Sequence, residues 1–555
     1  MASIGWPASR TAAPASLLTQ LGVLVTVGIV ALPVLTVIAL SLTSDTAAWP
    51  HLVRSVLPRA LSNTLFLLAG LAIVTAVIGT ATAWLVTMYR FPGREVVDRL
   101  LVLPLAIPTY IVAYAYVELL DYAGPVQSTL RSLMGWSTPR DYWFPDVRTT
   151  GGAVFVMATV LYPYVYLTVR ASFVQQSVCA LEVARTLGRS PLGVLRDVAL
   201  PLARPAVAAG VALVMMEGLN DLGAVQHLGV QTLSVAIYVT WLQRASLAGA
   251  VQIAAILLVI VVALLVFERM QRSGRFHNTT GRFRAIPFQE LSGVRAWAAA
   301  GFCFLPVLLG FCVPIGVLVG NALVAGTGAI TSEFWTAMRN SLVLSAAAAL
   351  VSVLVAVFLS YAERVNPVGT IRAPVRAAGL GYALPGTLLA LGLMVPLAAF
   401  DNALDGMLRR TFGFGTGLLL SGSLFALGLA YVIRFLAVAM GAIDSGLQRI
   451  SPNLDAAART LGAGPFETLA RVHIPMLMPA LGAGGLLVFV DCMKELPATL
   501  LLRPFNFSTL ATEVYNLTAL EQIEMASVGA LAIVAVGLLP VLLLHRAVAG
   551  GRSGS

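Results

Sequence analysis

Four carboxylates and one lysine stand inside runs of sequence that are otherwise apolar. The stretch AVAAGVALVMMEGLNDLGAVQ carries Glu217, Asn220 and Asp221, and ALGAGGLLVFVDCMKELPATL carries Asp491, Lys494 and Glu495. An ionised group held in hydrocarbon costs about 2.5–3.5 kcal/mol or more unless it faces water or a partner, so these side chains are expected to point into a protein interior. In each run the two carboxylates are four positions apart, a spacing that puts them on one face if the helix continues. Two chemistries are open to the set. Four acids against one lysine leave excess negative charge, and a polar path lined this way would favour a cation. Alternatively, Lys494 bridges Asp491 and Glu495 while Asn220 caps its own pair, a network that needs no solute.

Enzymatic chemistry finds little support. A phosphate-cradling loop needs GxxxxGK followed by Ser or Thr, because the lysine must reach the phosphates. The single lysine, Lys494, is followed by Glu495. There is no Ser–His–Asp order and no HExxH. The five histidines (His51, His227, His277, His473 and His545) are scattered, and surface or membrane-interface positions are expected for them. Cys179, Cys303, Cys312 and Cys492 form no CxxC and are expected to be small apolar fillers. No metal site and no bound cofactor are expected on this chain.

The carboxylate runs follow a longer stretch that occurs twice. Residues 181–205 read LEVARTLGRSPLGVLRDVALPLARP, and 455–479 read DAAARTLGAGPFETLARVHIPMLMP. An offset of 274 carries Arg185, Thr186, Leu187, Gly188, Pro191, Pro201 and Pro205 onto Arg459, Thr460, Leu461, Gly462, Pro465, Pro475 and Pro479. Each copy reads as a polar helix, a Gly-permitted turn, a second short helix and a proline stop before a new apolar run. The same offset pairs Glu217 with Asp491, Asn220 with Lys494 and Asp221 with Glu495. At an offset of 277, Asn63 and Thr64 match Asn340 and Ser341, Pro108 matches Pro385, and Tyr238 matches Tyr515.

These elements sit in a chain of 555 residues that is 58% hydrophobic and only 11% charged. Ordinary soluble domains carry about 25% charge, so this is a polytopic membrane protein, all α. A span needs roughly 20 apolar residues. Twelve are expected, near 17–42, 61–88, 100–120, 152–174, 205–226 and 249–267, then 296–322, 338–361, 377–400, 417–441, 479–500 and 527–547. The run at 17–42 exceeds a signal-peptide core and is expected to be a retained span. Residues 1–267 form one six-span half, 268–295 a basic linker with Arg269, Arg272, Arg275, Arg282, Arg284 and Arg295, and 296–555 the second half. The net charge of +10 does not indicate nucleic acid, because the arginines concentrate in short loops, where they set topology. Their bias places both termini and both repeated stretches in the cytoplasm. The halves are parallel repeats, from which a pseudo-two-fold along the membrane normal is expected. Outside contacts are expected from loops near 121–150, 226–248, 401–416 and 501–525.

The repeated stretches resemble the cytoplasmic coupling loop, or EAA loop, of ABC importer permeases. Glu182, Ala184, Gly188, Leu200 and Pro201 supply that pattern in the first copy, and Ala457, Ala458, Gly462, Ile474 and Pro475 in the second. The resemblance implies a type I ABC importer permease fold whose coupling helices dock on two copies of a cytoplasmic ATPase. ATP and magnesium would be held by that ATPase, and substrate would come from an extracytoplasmic binding protein at a bacterial inner membrane. The second copy departs from the pattern: opposite Glu182 stands Ala456, with Asp455 one position earlier. One residue is a turn of about 100° on a helix, so Asp455 does not replace the missing acid, and the two ATPase contacts are expected to be unequal. The KELPATLLLRPF portion of the second apolar run resembles fused two-half iron(III) permeases, which implies ferric iron as cargo. Thiamine, polyamine and aminoethylphosphonate permeases are similar relatives. A carrier driven by an ion gradient, with Glu217, Asp221, Asp491 and Glu495 as proton relays, is the rival from another class.

Overall fold

The computed structural model describes residues 17–45, 47, 49–176, 183, 184, 186–272, 288–366 and 368–550. Among these, eleven helices are long and apolar enough to cross a membrane, and a bent pair makes up to twelve. We number them α1 (Leu17–Thr43), α2 (Trp49–Met88), α3 (Thr109–Leu120), α4 (Thr150–Val174), α5 (Pro191–Asn220), α6 (Leu247–Gln271) and α7 (Gly293–Ala329), then α8 (Ser332–Val365), α9 (Gly386–Phe412), α10 (Leu424–Arg449), α11 (Pro465–Met493) and α12 (Ile523–Pro540). The expected span at 100–120 is the bent one. A helical segment over Arg94–Ala106 meets Thr109–Met134 at 94°. The bend falls at Pro108, which has no N–H to give and holds Ile107 extended (φ −99°, ψ 123°).

Proline acts differently elsewhere. The expected proline stops at Pro201, Pro205, Pro475 and Pro479 do not end helices, since α5 and α11 run through all four. Widened π-turns absorb the disturbance. Four occupy Leu52–Val56, Leu195–Ala199, Leu308–Cys312 and Leu469–His473; a fifth, at Val239–Gln243, is followed by no proline. Two residues after each of the four stands a proline: Pro58, Pro201, Pro314 and Pro475. A proline cannot donate the bond that a regular turn requires, and the i→i+5 turn moves the mismatch to where no N–H is missed.

The chain forms two compact units that cut across the sequence halves. One comprises 1–36, 342–384 and 392–492; the other comprises 37–341, 385–391 and 493–555. In the second unit, α4 packs against both α2 and α5. The crossings depend on small residues. A Cβ on Gly79 would lie 2.7 Å from Val165 and 2.8 Å from the Tyr166 nitrogen. One on Gly210 would lie 2.5 Å from Thr168 Oγ1 and 2.7 Å from the Val165 Cα. Close approach of this kind is how helices gain packing in a solvent as apolar as themselves. Gly79→Leu or Gly210→Leu is therefore expected to cost about 1–3 kcal/mol or more by overpacking. Thermal unfolding of the purified chain in nanodiscs checks this, and an unchanged midpoint would contradict it.

The same unit holds matched polar ties that reproduce the repeat. Asn63 Nδ2 donates to the Gln231 carbonyl (3.2 Å), and Asn340 Nδ2 to the Ser508 carbonyl (3.0 Å). The Leu233 N–H donates to Thr64 Oγ1 (3.0 Å), and the Leu510 N–H to Ser341 Oγ (2.7 Å). All four residue pairs obey the 277 offset. A two-residue parallel pairing joins Tyr89–Arg90 to Gln289–Glu290, and the Arg94 guanidinium lies 4.0 Å over the Phe288 ring. Within the basic linker, residues 273–287 lie outside the described residues.

Candidate functional site

The repeated loops build the same turn. In the second, Ser451 Oγ accepts from the Asn453 N–H (3.3 Å) to open a helix over Pro452–Thr460. Gly462, at φ +84°, then turns the chain. The Leu461 N–H reaches the Ala457 carbonyl (3.1 Å) and the Ala463 N–H the Ala458 carbonyl (3.0 Å). In the first, Gly188 stands at φ +80°. There the Leu187 N–H reaches the Val183 carbonyl (3.0 Å) and the Arg189 N–H the Ala184 carbonyl (3.1 Å). Each bond is its counterpart displaced by 274. Only glycine adopts such φ values without strain, which is why the spacing survives in both copies.

Burial separates the roles of the loop residues. Ala184 and Ala458 are buried against the body, whereas Ala457, Pro201 and Pro475 are exposed. Register thus makes Ala458 the structural partner of Ala184. Two matched apolar positions face outward instead: Leu187 with Leu461, and Leu192 with Phe466. Their exposures are 77%, 86%, 73% and 81%. Sequence reasoning missed these four, although the 274 offset already paired them. Glu182, the acid of the first copy, lies outside the described residues. Asp455 is described and faces the interior of its own unit. It contacts Arg364 and His473, and His473 is fully buried rather than at a surface or interface. Beside this contact, Ser360, Glu363, Arg364, Arg372, Arg376 and Asp444 line a cleft of about 530 Å³.

The carboxylate runs end in helix breaks. α5 stops at Asn220, and Asp221 is already extended (φ −67°, ψ 126°); α11 stops at Met493. Asp221 and Glu495 therefore do not share a helix face with Glu217 and Asp491. The continuous helix expected at 205–226 and 479–500 gives way to short segments at Gly223–His227 and Pro497–Leu502. Each of the two later acids opens one of these. The Ala224 N–H donates to Asp221 Oδ1 (2.8 Å), and Thr109 Oγ1, just past the Pro108 bend, donates to Asp221 Oδ2. Glu495 accepts from the Ala498 N–H (2.9 Å), the Thr499 N–H (3.0 Å) and Thr499 Oγ1 (2.6 Å). Asp221 and Glu495 are both buried, and the N–H and O–H donors give their oxygens the hydrogen bonds that water would otherwise supply.

Asn220 Oδ1 accepts from the Gly386 N–H (2.9 Å) at the start of α9, next to Pro385. Breaks in both halves therefore meet through polar side chains of the second unit. A Cβ on Gly223 would press on Leu496 and Tyr110, so the two breaks and α3 touch there. Tyr110 and Tyr114 are buried one turn apart on α3, and the Tyr114 ring meets His227 edge-on at 4.5 Å. Glu217 and Asp491 lie half-buried in the last turns of α5 and α11, and Lys494 is half-buried in the break after α11. Among the described residues, no three His, Cys, Asp or Glu side chains are placed to hold a metal ion. Among the described residues, Cys303, Cys312 and Cys492 form no disulfide.

The loop at 121–149 is ordered by Arg131. Its Nη1 donates to the Tyr122 carbonyl (2.9 Å) and to Tyr142 Oη (3.0 Å), while Trp136 stacks on Tyr142 at 4.9 Å. The N–H groups of Thr138 and Ser137 hold the Asp141 carboxyl below the usual carboxylate range.

Apolar helices in two matched sets, broken at corresponding points and carrying twin glycine-turned loops, define a multi-pass membrane permease of the type I ABC importer fold. The chain belongs to the family described as binding-protein-dependent transport system inner membrane component, whose model matches residues 75–273 and 375–552. It is 28% identical to the Fe(3+)-transport system permease protein FbpB 2 of Haemophilus influenzae, over 89% of this chain and 91% of that protein. It is 26% identical to the probable ABC transporter permease protein y4fN of Sinorhizobium fredii, over 82% and 81% respectively. A putative 2-aminoethylphosphonate transport system permease protein of Salmonella choleraesuis is 29% identical over 39% of this chain and 75% of its own length.

Proposed function

We propose that this chain is the permease of an ATP-driven importer for ferric iron, working by alternating access. The matched, outward-facing apolar residues on two glycine-turned loops carry the ATPase reading: Leu187 and Leu192, then Leu461 and Phe466. Side chains so exposed add little to the packing of the chain itself, and they suit grooves on two copies of a separate ATPase that holds ATP and magnesium. Glu182, Ala184, Gly188 and Pro201 in the first loop, and Asp455, Ala457, Gly462 and Pro475 in the second, belong to this coupling role. With both loops and both termini on the cytoplasmic side of a bacterial inner membrane, the 121–149 loop lies outside. There its ordered aromatic scaffold and exposed Trp143 offer a surface to a substrate-binding protein.

The cargo reading rests on the relative from Haemophilus influenzae, whose name gives Fe(3+) as the substrate, and on the acidic breaks. Glu217, Asn220, Asp221, Asp491, Lys494 and Glu495 form the candidate pathway. Asp221 and Glu495 shape it by capping the segments that follow the breaks, and Glu217 is the acid whose neutralisation tests the path. Aminoethylphosphonate is the second reading, favoured by the Salmonella relative. The test of the class is ATP hydrolysis by the reconstituted permease and ATPase with loaded binding protein added. Stimulation by the binding protein is expected. Hydrolysis indifferent to it, or uptake abolished by a protonophore while ATP lasts, would favour a gradient-driven carrier.

A further inference from the structure

The second loop carries a side-chain tie that the first cannot make. Asp455 Oδ2 accepts from Arg364 Nη2 (2.8 Å) and Nε (3.2 Å), and Asp455 Oδ1 lies 2.8 Å from His473 Nε2. The same guanidinium donates to the Leu447 carbonyl (2.6 Å), which also accepts from the Ile450 N–H (3.1 Å), and to the Ile450 carbonyl (3.0 Å), both at the end of α10. Tyr361, one turn earlier on α8, donates to the Pro465 carbonyl (2.7 Å), and its ring meets His473 at 5.3 Å. Four segments of one compact unit thus converge on one carboxylate: the end of α8, the end of α10, the loop helix Pro452–Thr460 and the π-turn of α11. Arg364 and Asp455 are only 16% and 24% exposed, and His473 is closed off entirely, so water competes weakly for these bonds.

In the first copy the offset of 274 puts Leu181 and Ala199 where Asp455 and His473 stand. Opposite Arg364, at 277, is Thr87, whose hydroxyl donates to the Ala83 carbonyl (2.6 Å). None of these three can form an ion pair or accept an arginine fork. The missing acid of the second loop and the tie therefore belong together. Asp455 Oδ2 is held inside the chain by Arg364 and Oδ1 lies against His473, so this carboxylate is engaged with its own unit, whereas the motif resemblance gives Glu182 the ATPase contact.

We propose that Arg364, Asp455 and His473 are positioning residues that latch the second coupling helix to α8, making it a stiff lever, whereas the first loop is steadied by its ATPase contact. This rests on the coupling-loop reading above, and the test separates the two. A spin label is placed at Ala457→Cys in a chain whose native cysteines are replaced, reconstituted in nanodiscs without any ATPase. A matching label is placed at Val183→Cys. Asp455→Ala and Arg364→Lys are expected to raise mobility at 457 and leave 183 unchanged, since lysine is a point charge that cannot span a carboxylate and two carbonyls at once. Asp455→Asn keeps the shape and is expected to loosen the label less; it is the variant to read if Asp455→Ala fails to assemble. With a cytoplasmic ABC ATPase from the same cell added, solute moved per ATP is expected to fall at least about fivefold in Arg364→Lys while ATPase retention stays within about twofold. Unchanged mobility at 457, or unchanged solute per ATP, overturns the latch. If the unmutated chain retains no ATPase, the coupling reading fails, and the mobility of the free chain still judges the latch.

Discussion

Leu461→Asp combined with Phe466→Asp is expected to weaken ATPase binding by on the order of 100-fold or more, while the permease itself folds and inserts normally. Both side chains are more than four-fifths exposed, so their removal empties no core. Anchors that fill partner pockets commonly contribute about 2 kcal/mol or more each, and a carboxylate forced into such a pocket adds a desolvation cost. Copurification from detergent, with retained ATPase measured against permease, reads the result. Leu187→Asp with Leu192→Asp is the matched experiment on the first loop. Normal retention in both double variants would show that these surfaces face no partner.

Glu495→Ala is expected to be the most damaging single change within the pathway set. It removes the acceptor of the Ala498 N–H and the Thr499 N–H in a buried place, at about 1–3 kcal/mol for each buried donor left unpaired, while the Thr499 hydroxyl keeps the Glu495 carbonyl (3.0 Å). Asp221→Ala should follow, since it releases the Ala224 N–H and the Thr109 hydroxyl. Glu495→Gln keeps one acceptor and should fall between alanine and the original residue. Thermal unfolding in nanodiscs measures the order. Full stability in Glu495→Ala would deny the capping role. Full stability together with lost uptake in Glu495→Gln would move that acid from shaping the path to meeting the cargo.

The membrane character, the duplication and the twin loops are legible in the sequence because they rest on long apolar runs and fixed offsets. The matched bonds of Asn63 with Gln231 and Asn340 with Ser508 show that the 277 offset reports geometry. What escapes the sequence depends on where a helix stops. Nothing in EGLND or DCMKELP says that the last acid turns off the helix to cap the next segment, because the donors it meets lie three and four residues further on. Four-residue spacing therefore misleads at Glu217 and Asp221. The prolines mislead in the other direction, since a π-turn lets the helix continue through Pro201 and Pro475. His473 could not be placed from its neighbours alone, because it meets Asp455 through the fold, and Asp455 is held in turn by Arg364, 91 positions before it. The exchange of segments between compact units, with 1–36 grouped with second-half helices, is likewise a tertiary fact with no local signal.

The measurement that bears most directly on the account is uptake into proteoliposomes holding this chain, its ATPase and its binding protein, with ferric iron, thiamine, putrescine and 2-aminoethylphosphonate compared under ATP. The account predicts ATP-dependent accumulation of iron, lost when ATP is replaced by a non-hydrolysable analogue and diminished in Glu217→Gln. Accumulation of one of the other solutes with no iron uptake would contradict the cargo, and accumulation that needs no ATP would contradict the mechanism.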